Sequence, residues 1–113
     1  MTNTARFMSA TTLIGDGIRN PQNETLGDLK EIMMDTASGK IAYGVVSYGG
    51  ILGMGDKLFA VPWSAFSIDH DNHKLVLNVS KDRLKDAPGF DKDNWPNFAD
   101  PSFASSVGTW YQG

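Results

Sequence analysis

Apolar and polar positions alternate along most of this chain in short runs separated by glycine and polar turns, which is the pattern of strands. Ile41 to Tyr48, IAYGVVSY, predicts a strand with Ile41, Tyr43 and Val45 on one face and Ala42, Val46 and Tyr48 on the other. Lys57 to Trp63, KLFAVPW, repeats the pattern, with Pro62 confined to a strand end or edge because it has no N–H to donate. Ala65 to Ile68 and Lys74 to Val79 predict a hairpin around the polar turn Asp69-His70-Asp71-Asn72. One segment is ambiguous: in Leu26 to Asp35, Leu26, Leu29 and Met33 have helical spacing while the flanking turn signals suit a strand. The following turn, Asp35 to Lys40, places Gly39 where a positive φ is needed.

Ser80 reads as the N-cap of one short helix, KDRLKDA, stopped by Pro88-Gly89. Beyond it the chain shows no sustained period, so residues 87–113 are expected to form an irregular C-terminal extension. Its aromatics Phe90, Trp95, Phe98, Phe103, Trp110 and Tyr111 either dock on the body of the protein or meet a partner, and docking in cis is the simpler reading, because exposed aromatics cost solubility.

With 113 residues the chain suits one domain with a single modest core. A net charge of -3 gives no electrostatic reason to expect nucleic acid or an anionic membrane surface as partner. There is no cysteine, which excludes disulfides, thiolate metal sites and a cysteine nucleophile. No apolar run is long enough for a signal peptide or a membrane span, so a soluble, cytoplasmic chain without an integral membrane segment is expected.

The glycine-rich stretch GGILGMGDKLFAVPW (residues 49–63) invites a phosphate-loop reading, since Gly50 and Gly55 have the outer spacing of such a loop. Asp56 then stands where the phosphate-binding lysine belongs, no hydroxyl residue follows, and the next segment is a strand that offers no helix N-terminus. A sharp connection between strands explains the glycines better, and it leaves Ile51, Leu52 and Met54 as apolar residues at a turn tip. Asp69, Asp71 and His73 alternate like the start of a calcium loop, but Lys74 replaces the required glycine and Ser80 the bidentate glutamate. Asp91 and Asp93 fail in the same way at Pro96 and Ser102, and His70 with His73 lack the spacing and further ligands of a zinc site. Solvated turns are the better reading, and no cofactor is expected. No nucleophile motif is present, and the cluster Lys81, Arg83, Lys85 is interleaved with Asp82 and Asp86 as on a solvated helix face.

Leu13-Ile14-Gly15, Leu26-Gly27-Asp28-Leu29, Gly39-Lys40-Ile41-Ala42, the block from Gly49 to Gly55, and Val61-Pro62-Trp63 together resemble the PRC-barrel family, named for the cytoplasmic domain of the photosynthetic reaction-centre H subunit. The similarity covers roughly residues 12–86, with residues 1–11 as an N-terminal arm. It implies a small, mostly antiparallel β-barrel and resolves Leu26 to Asp35 as a strand. It also implies a protein-binding and assembly module with no shared catalytic residues. The chain is therefore expected to be a non-enzymatic, stand-alone, bacterial module that binds a protein partner, including a second copy of itself as a homodimer. Tyr48, Ile51, Leu52, Met54 and Trp63 are the candidate partner-binding residues. The alternative is a small-ligand or metal-sensing barrel that uses Asp69, Asp71 and His73.

Overall fold

The computed structural model describes residues 7–48, 57–69, 71–72 and 74–112. A short helix, α1 (Ala10–Leu13), leads into β1 (Gly17–Arg19), β2 (Thr25–Asp35) and β3 (Lys40–Tyr48). Next, β4 (Lys57–Pro62) passes through a 3-10 turn, Trp63–Ala65, into β5 (Phe66–Asp69) and β6 (Lys74–Leu77). The chain finishes with α2 (Lys81–Leu84), β7 (Gly89–Asp91) and α3 (Pro101–Gln112). The strands make one seven-stranded sheet in the order β5-β6-β1-β2-β3-β4-β7. Its ladders are antiparallel except where β1 meets β6, at Arg19 and Val76.

The sheet coils upon itself. The Phe66 ring of β5 lies over Gly44 of β3, so close that a Cβ at Gly44 would sit 2.8 Å from it. The sheet thus wraps one apolar core built from Ile18, Leu26, Leu29, Val46, Phe59, Val61, Leu75, Leu77 and Leu84, although no ladder joins β5 to β7. The result is mainly β, as the alternation predicts, and barrel-like, as the resemblance implies.

The helical spacing in residues 26–35 has a geometric cause. Ile18 pairs with Gly27 and Arg19 with Thr25, which leaves Leu26 as an extra residue. Leu29 pairs with Val46 and Glu31 with Val45, which leaves out Lys30. Each bulge shifts the two-residue period by one. Residues three apart therefore reach the same side: Leu26 and Leu29 are core members and Ile32 packs against them, whereas Met33, the third residue of the helical spacing, lines the outer groove.

Two expectations are corrected. Among the described residues the single short helix becomes three, and the extension is not irregular. Ser80 does cap α2, its Oγ accepting from the Arg83 N–H at 3.1 Å, but a second helix start lies at Asp100-Pro101. Asp100 Oδ1 accepts from the Ser102 N–H at 2.9 Å and Pro101 occupies the first helical position, where its missing N–H costs nothing. From there α3 turns Phe103, Val107, Trp110 and Tyr111 inward at helical spacing.

Candidate partner-binding surface

Of the five candidate partner-binding residues, Tyr48 and Trp63 are described, and they lie apart. Tyr48 ends β3, half-buried, with its ring 6.0 Å from that of Phe59. Trp63 is also half-buried, in the 3-10 turn, with its ring 5.5 Å from that of Phe66. The β3–β4 register sets Tyr48 opposite Lys57 and Tyr43 opposite Pro62. Tyr48 and Trp63 thus occupy opposite ends of this strand pair, roughly 20 Å apart at ~3.3 Å per residue. Both are partly buried and pack against the core. Ile51, Leu52 and Met54 lie outside the described residues, in the connection that begins directly after Tyr48.

The turn carboxylates have local work. Asp69 Oδ1 accepts from the backbone N–H groups of Asp71 at 3.1 Å and Asn72 at 3.3 Å, and Oδ2 accepts from Asn72 Nδ2 at 2.8 Å. This is the pattern of an aspartate closing its own turn. Asp71 is exposed, and His70 and His73 lie outside the described residues. Among the described residues no three His, Asp or Glu side chains are grouped so as to hold a metal ion.

Two features escaped the sequence reading. The first is a polar tie around Asn20, buried to 3% exposure. Its Nδ2 donates to Glu24 Oε1 at 2.6 Å and to the Val79 carbonyl at 3.1 Å, and its Oδ1 accepts from the Glu24 N–H at 2.9 Å. Glu24 Oε1 also accepts from the Lys81 N–H at 3.3 Å, so the β1–β2 turn is bound to the start of α2. The signal was an Asn followed four residues later by Glu in a turn, a pairing that many solvated turns also carry.

The second is an open groove of about 460 Å³ lined by Met33, Met34, Ala42, Tyr43, Phe98 and Ala99. Met34, 56% exposed, and Ile41, 38% exposed, pair across the β2–β3 ladder beside it. Burial raises the Tyr43 hydroxyl above the ordinary tyrosine range. One wall of the groove comes from an aromatic cluster: Phe98 lies 5.5 Å from Tyr43 and 5.4 Å from Phe103, and Phe90 lies 5.1 Å from Trp95. The aromatics of the extension therefore dock in cis.

A coiled, mostly antiparallel sheet with a side-chain-filled interior and apolar groups on its rim defines a small β-barrel module. A family model described as PRC-barrel domain matches residues 5–84, and the chain belongs to the PRC-barrel family. A search of curated proteins returns no match. Among the described residues no helix is long and apolar enough to cross a membrane.

Proposed function

We propose that this protein is a non-enzymatic assembly module that works by binding protein, including a second copy of itself, through Tyr48 and the apolar residues Ile51, Leu52 and Met54 of the connection that follows it in sequence. The observation that carries this reading is the filled interior. Ile18, Leu26, Leu29, Val46, Phe59 and Leu77 occupy the inside of the coil at 2% exposure or less, so recognition falls to the outer surface. Tyr48 is only partly buried at the point where an apolar, glycine-rich connection begins, and covering such residues with a second copy removes apolar surface at about 25 cal/mol per Å². A two-fold pair is the commonest closed arrangement. Trp63, at the far end of the β3–β4 pair, forms a separate contact.

Sedimentation tests the reading. The full chain is expected to dimerise at tens of micromolar, and the Leu52→Glu, Met54→Glu double variant to remain monomeric with an unchanged circular dichroism spectrum. A wild-type monomer at that concentration, or a dimer indifferent to both substitutions, would refute it.

A further inference from the structure

The family match ends at residue 84, and the buried members of the main core end at Ala87. Residues 89–112 lie beyond both, yet they cover a defined surface. In β4, Phe59 and Val61 face the main core, so Leu58 and Ala60 face the other way. Leu58, Ala60 and Val45 of β3 are nevertheless buried to 2% exposure or less, and with fully buried Val107 they stand outside the main core cluster. Since α3 packs against β4, these four residues form a second, smaller core between the sheet and the extension. β7 seals the edge of the same strand, pairing Asp91 with Lys57, Phe90 with Leu58 and Gly89 with Phe59.

Beneath this cover β4 presents Leu58 to Val61, four consecutive buried apolar residues at what would otherwise be a sheet edge. An uncovered edge of that composition is a template for pairing with another chain. The cover is held mainly by packing, with Val107 fully buried, Trp110 and Tyr111 against the main core and Phe98 and Phe103 on Tyr43, while its covalent and backbone ties are short. Pro88 alone separates Ala87 from β7. The ladder is three residue pairs long, and at the far end the Arg83 guanidinium lies 4.8 Å over the Trp110 ring and donates to its carbonyl at 3.5 Å.

We propose that the outer face of β3–β4 and the edge of β4 are a docking surface for a strand-then-helix segment. Residues 89–112 fill it within one chain, and the same residues of a second copy fill it in an exchanged dimer. A second copy fits because the complement is already encoded: each contact of the cover is reproduced when the identical segment arrives from a neighbour. The one-residue tether decides between the two forms. Cis docking benefits from a high effective concentration, while a short hinge at a proline of fixed φ has little slack and favours the extended, exchanged path once chains are crowded. This inference shares the second copy as partner with the proposed function but uses a different surface.

The test uses the full chain carrying Val107→Asp, which places a carboxylate in the small core and loosens the cover. A fluorescent synthetic peptide of residues 87–113 is titrated into this variant and into wild type, with binding read by anisotropy. Saturable binding to the variant, with affinity about tenfold or more above that for wild type, whose surface is filled, is the expected result. The peptide carrying Val107→Asp is expected not to bind. No saturable binding to a folded variant, equal binding to wild type, or binding by the substituted peptide overturns the proposal. A Phe98→Ser, Phe103→Ser chain, which loosens the cover without a buried charge, gives the same readings if Val107→Asp fails to fold. Loss of the barrel in both variants also overturns it, because the cover would then be part of the fold.

For exchange, the Leu52→Glu, Met54→Glu chain, whose other surface is disabled, is refolded at millimolar concentration and is expected to yield dimer in light scattering, and the same chain also carrying Val107→Asp to yield less. Dimer undiminished by that substitution overturns the assignment of a second copy. The peptide titration reads only this surface, and loss of the dimer at tens of micromolar in the Leu52→Glu, Met54→Glu chain reads the other.

Discussion

Adding one methyl group at Gly27 is expected to destabilise the protein far more than adding one at Gly39, although both glycines have positive φ, +153° and +76°. A Cβ at such angles costs about 1 kcal/mol. At Gly39, in the β2–β3 turn, nothing lies within 4 Å of the added carbon, so Gly39→Ala should cost about 1 kcal/mol and no more. At Gly27 the carbon would fall inside contact distance of the Ser47 carbonyl oxygen, 3.1 Å from the Ser47 carbonyl carbon and 3.3 Å from Val46 Cγ1. The obstacle is the backbone of β3, which is tied to β4 on its other side, as at Ser47 and Leu58. Forcing it aside adds roughly 1–3 kcal/mol of overpacking strain. Gly27→Ala should therefore cost about 3 kcal/mol, a large part of the ~5–15 kcal/mol that holds a domain folded.

Urea unfolding followed by tryptophan fluorescence gives the comparison, since Trp63 leans on the core and reports its loss. With a slope near 1.5 kcal/mol/M, the midpoint should fall by about 2 M for Gly27→Ala and by less than ~1 M for Gly39→Ala. Equal shifts would refute the close approach of β2 and β3 at Gly27, and with it the bulge that places Leu26 in the core. An unchanged midpoint for Gly39→Ala would refute the left-handed turn.

Tyr111 has a buried hydroxyl with no hydrogen-bond partner among the described residues, and burial pushes its pKa well above the usual tyrosine value. Because the folded-state pKa is the higher one, its contribution is intact below the unfolded value of ~10 and is lost as pH rises beyond it. Tyr111→Phe should therefore match or exceed wild-type stability by up to ~1 kcal/mol at pH 7 and widen its lead above pH ~10; equal alkaline sensitivity in thermal melts would contradict this. Ser80→Ala should cost about 1 kcal/mol by removing the cap on α2, and a neutral result in the same melts would show that the Asn20–Glu24 tie alone holds this corner. Asp69→Ala should lower the melting temperature equally with and without calcium or zinc, since the carboxylate closes a turn. A cation-dependent rise in wild type that the variant loses would make that turn a metal site.

How much of this was legible depends on whether local pattern and tertiary setting agree. β6 alternates buried Leu75 and Leu77 with half-buried neighbours, and its period of two is plain in the sequence. The turn at Gly39 and the Ser80 cap were legible for the same reason: each is a local device with a local signal. β2 was not, because two bulges convert a strand into a three-residue spacing that imitates a helix. For the partner-binding candidates, nearness in sequence was a poor guide. Trp63 follows the glycine block closely in the chain, yet the extended strand β4 carries it to the opposite end of the barrel.

The extension is the instructive failure, because both halves of its interaction were written in the chain and neither was readable alone. Asp100-Pro101 followed by Phe103, Val107, Trp110 and Tyr111 is a helix start and an apolar stripe, but Ser105, Ser106, Gly108 and Thr109 are poor helix formers that hide it. Such a segment becomes a helix only where packing supplies what propensity does not. The other half is the run Leu58-Phe59-Ala60-Val61. A strand with one wet face alternates, whereas a run of four apolar residues declares that both faces are covered. One face belongs to the barrel core, and the barrel has nothing left to cover the other. The unalternating run and the unexplained aromatic tail thus account for each other: β4 needs a second cover, and residues 89–112 need a surface on which to become strand and helix.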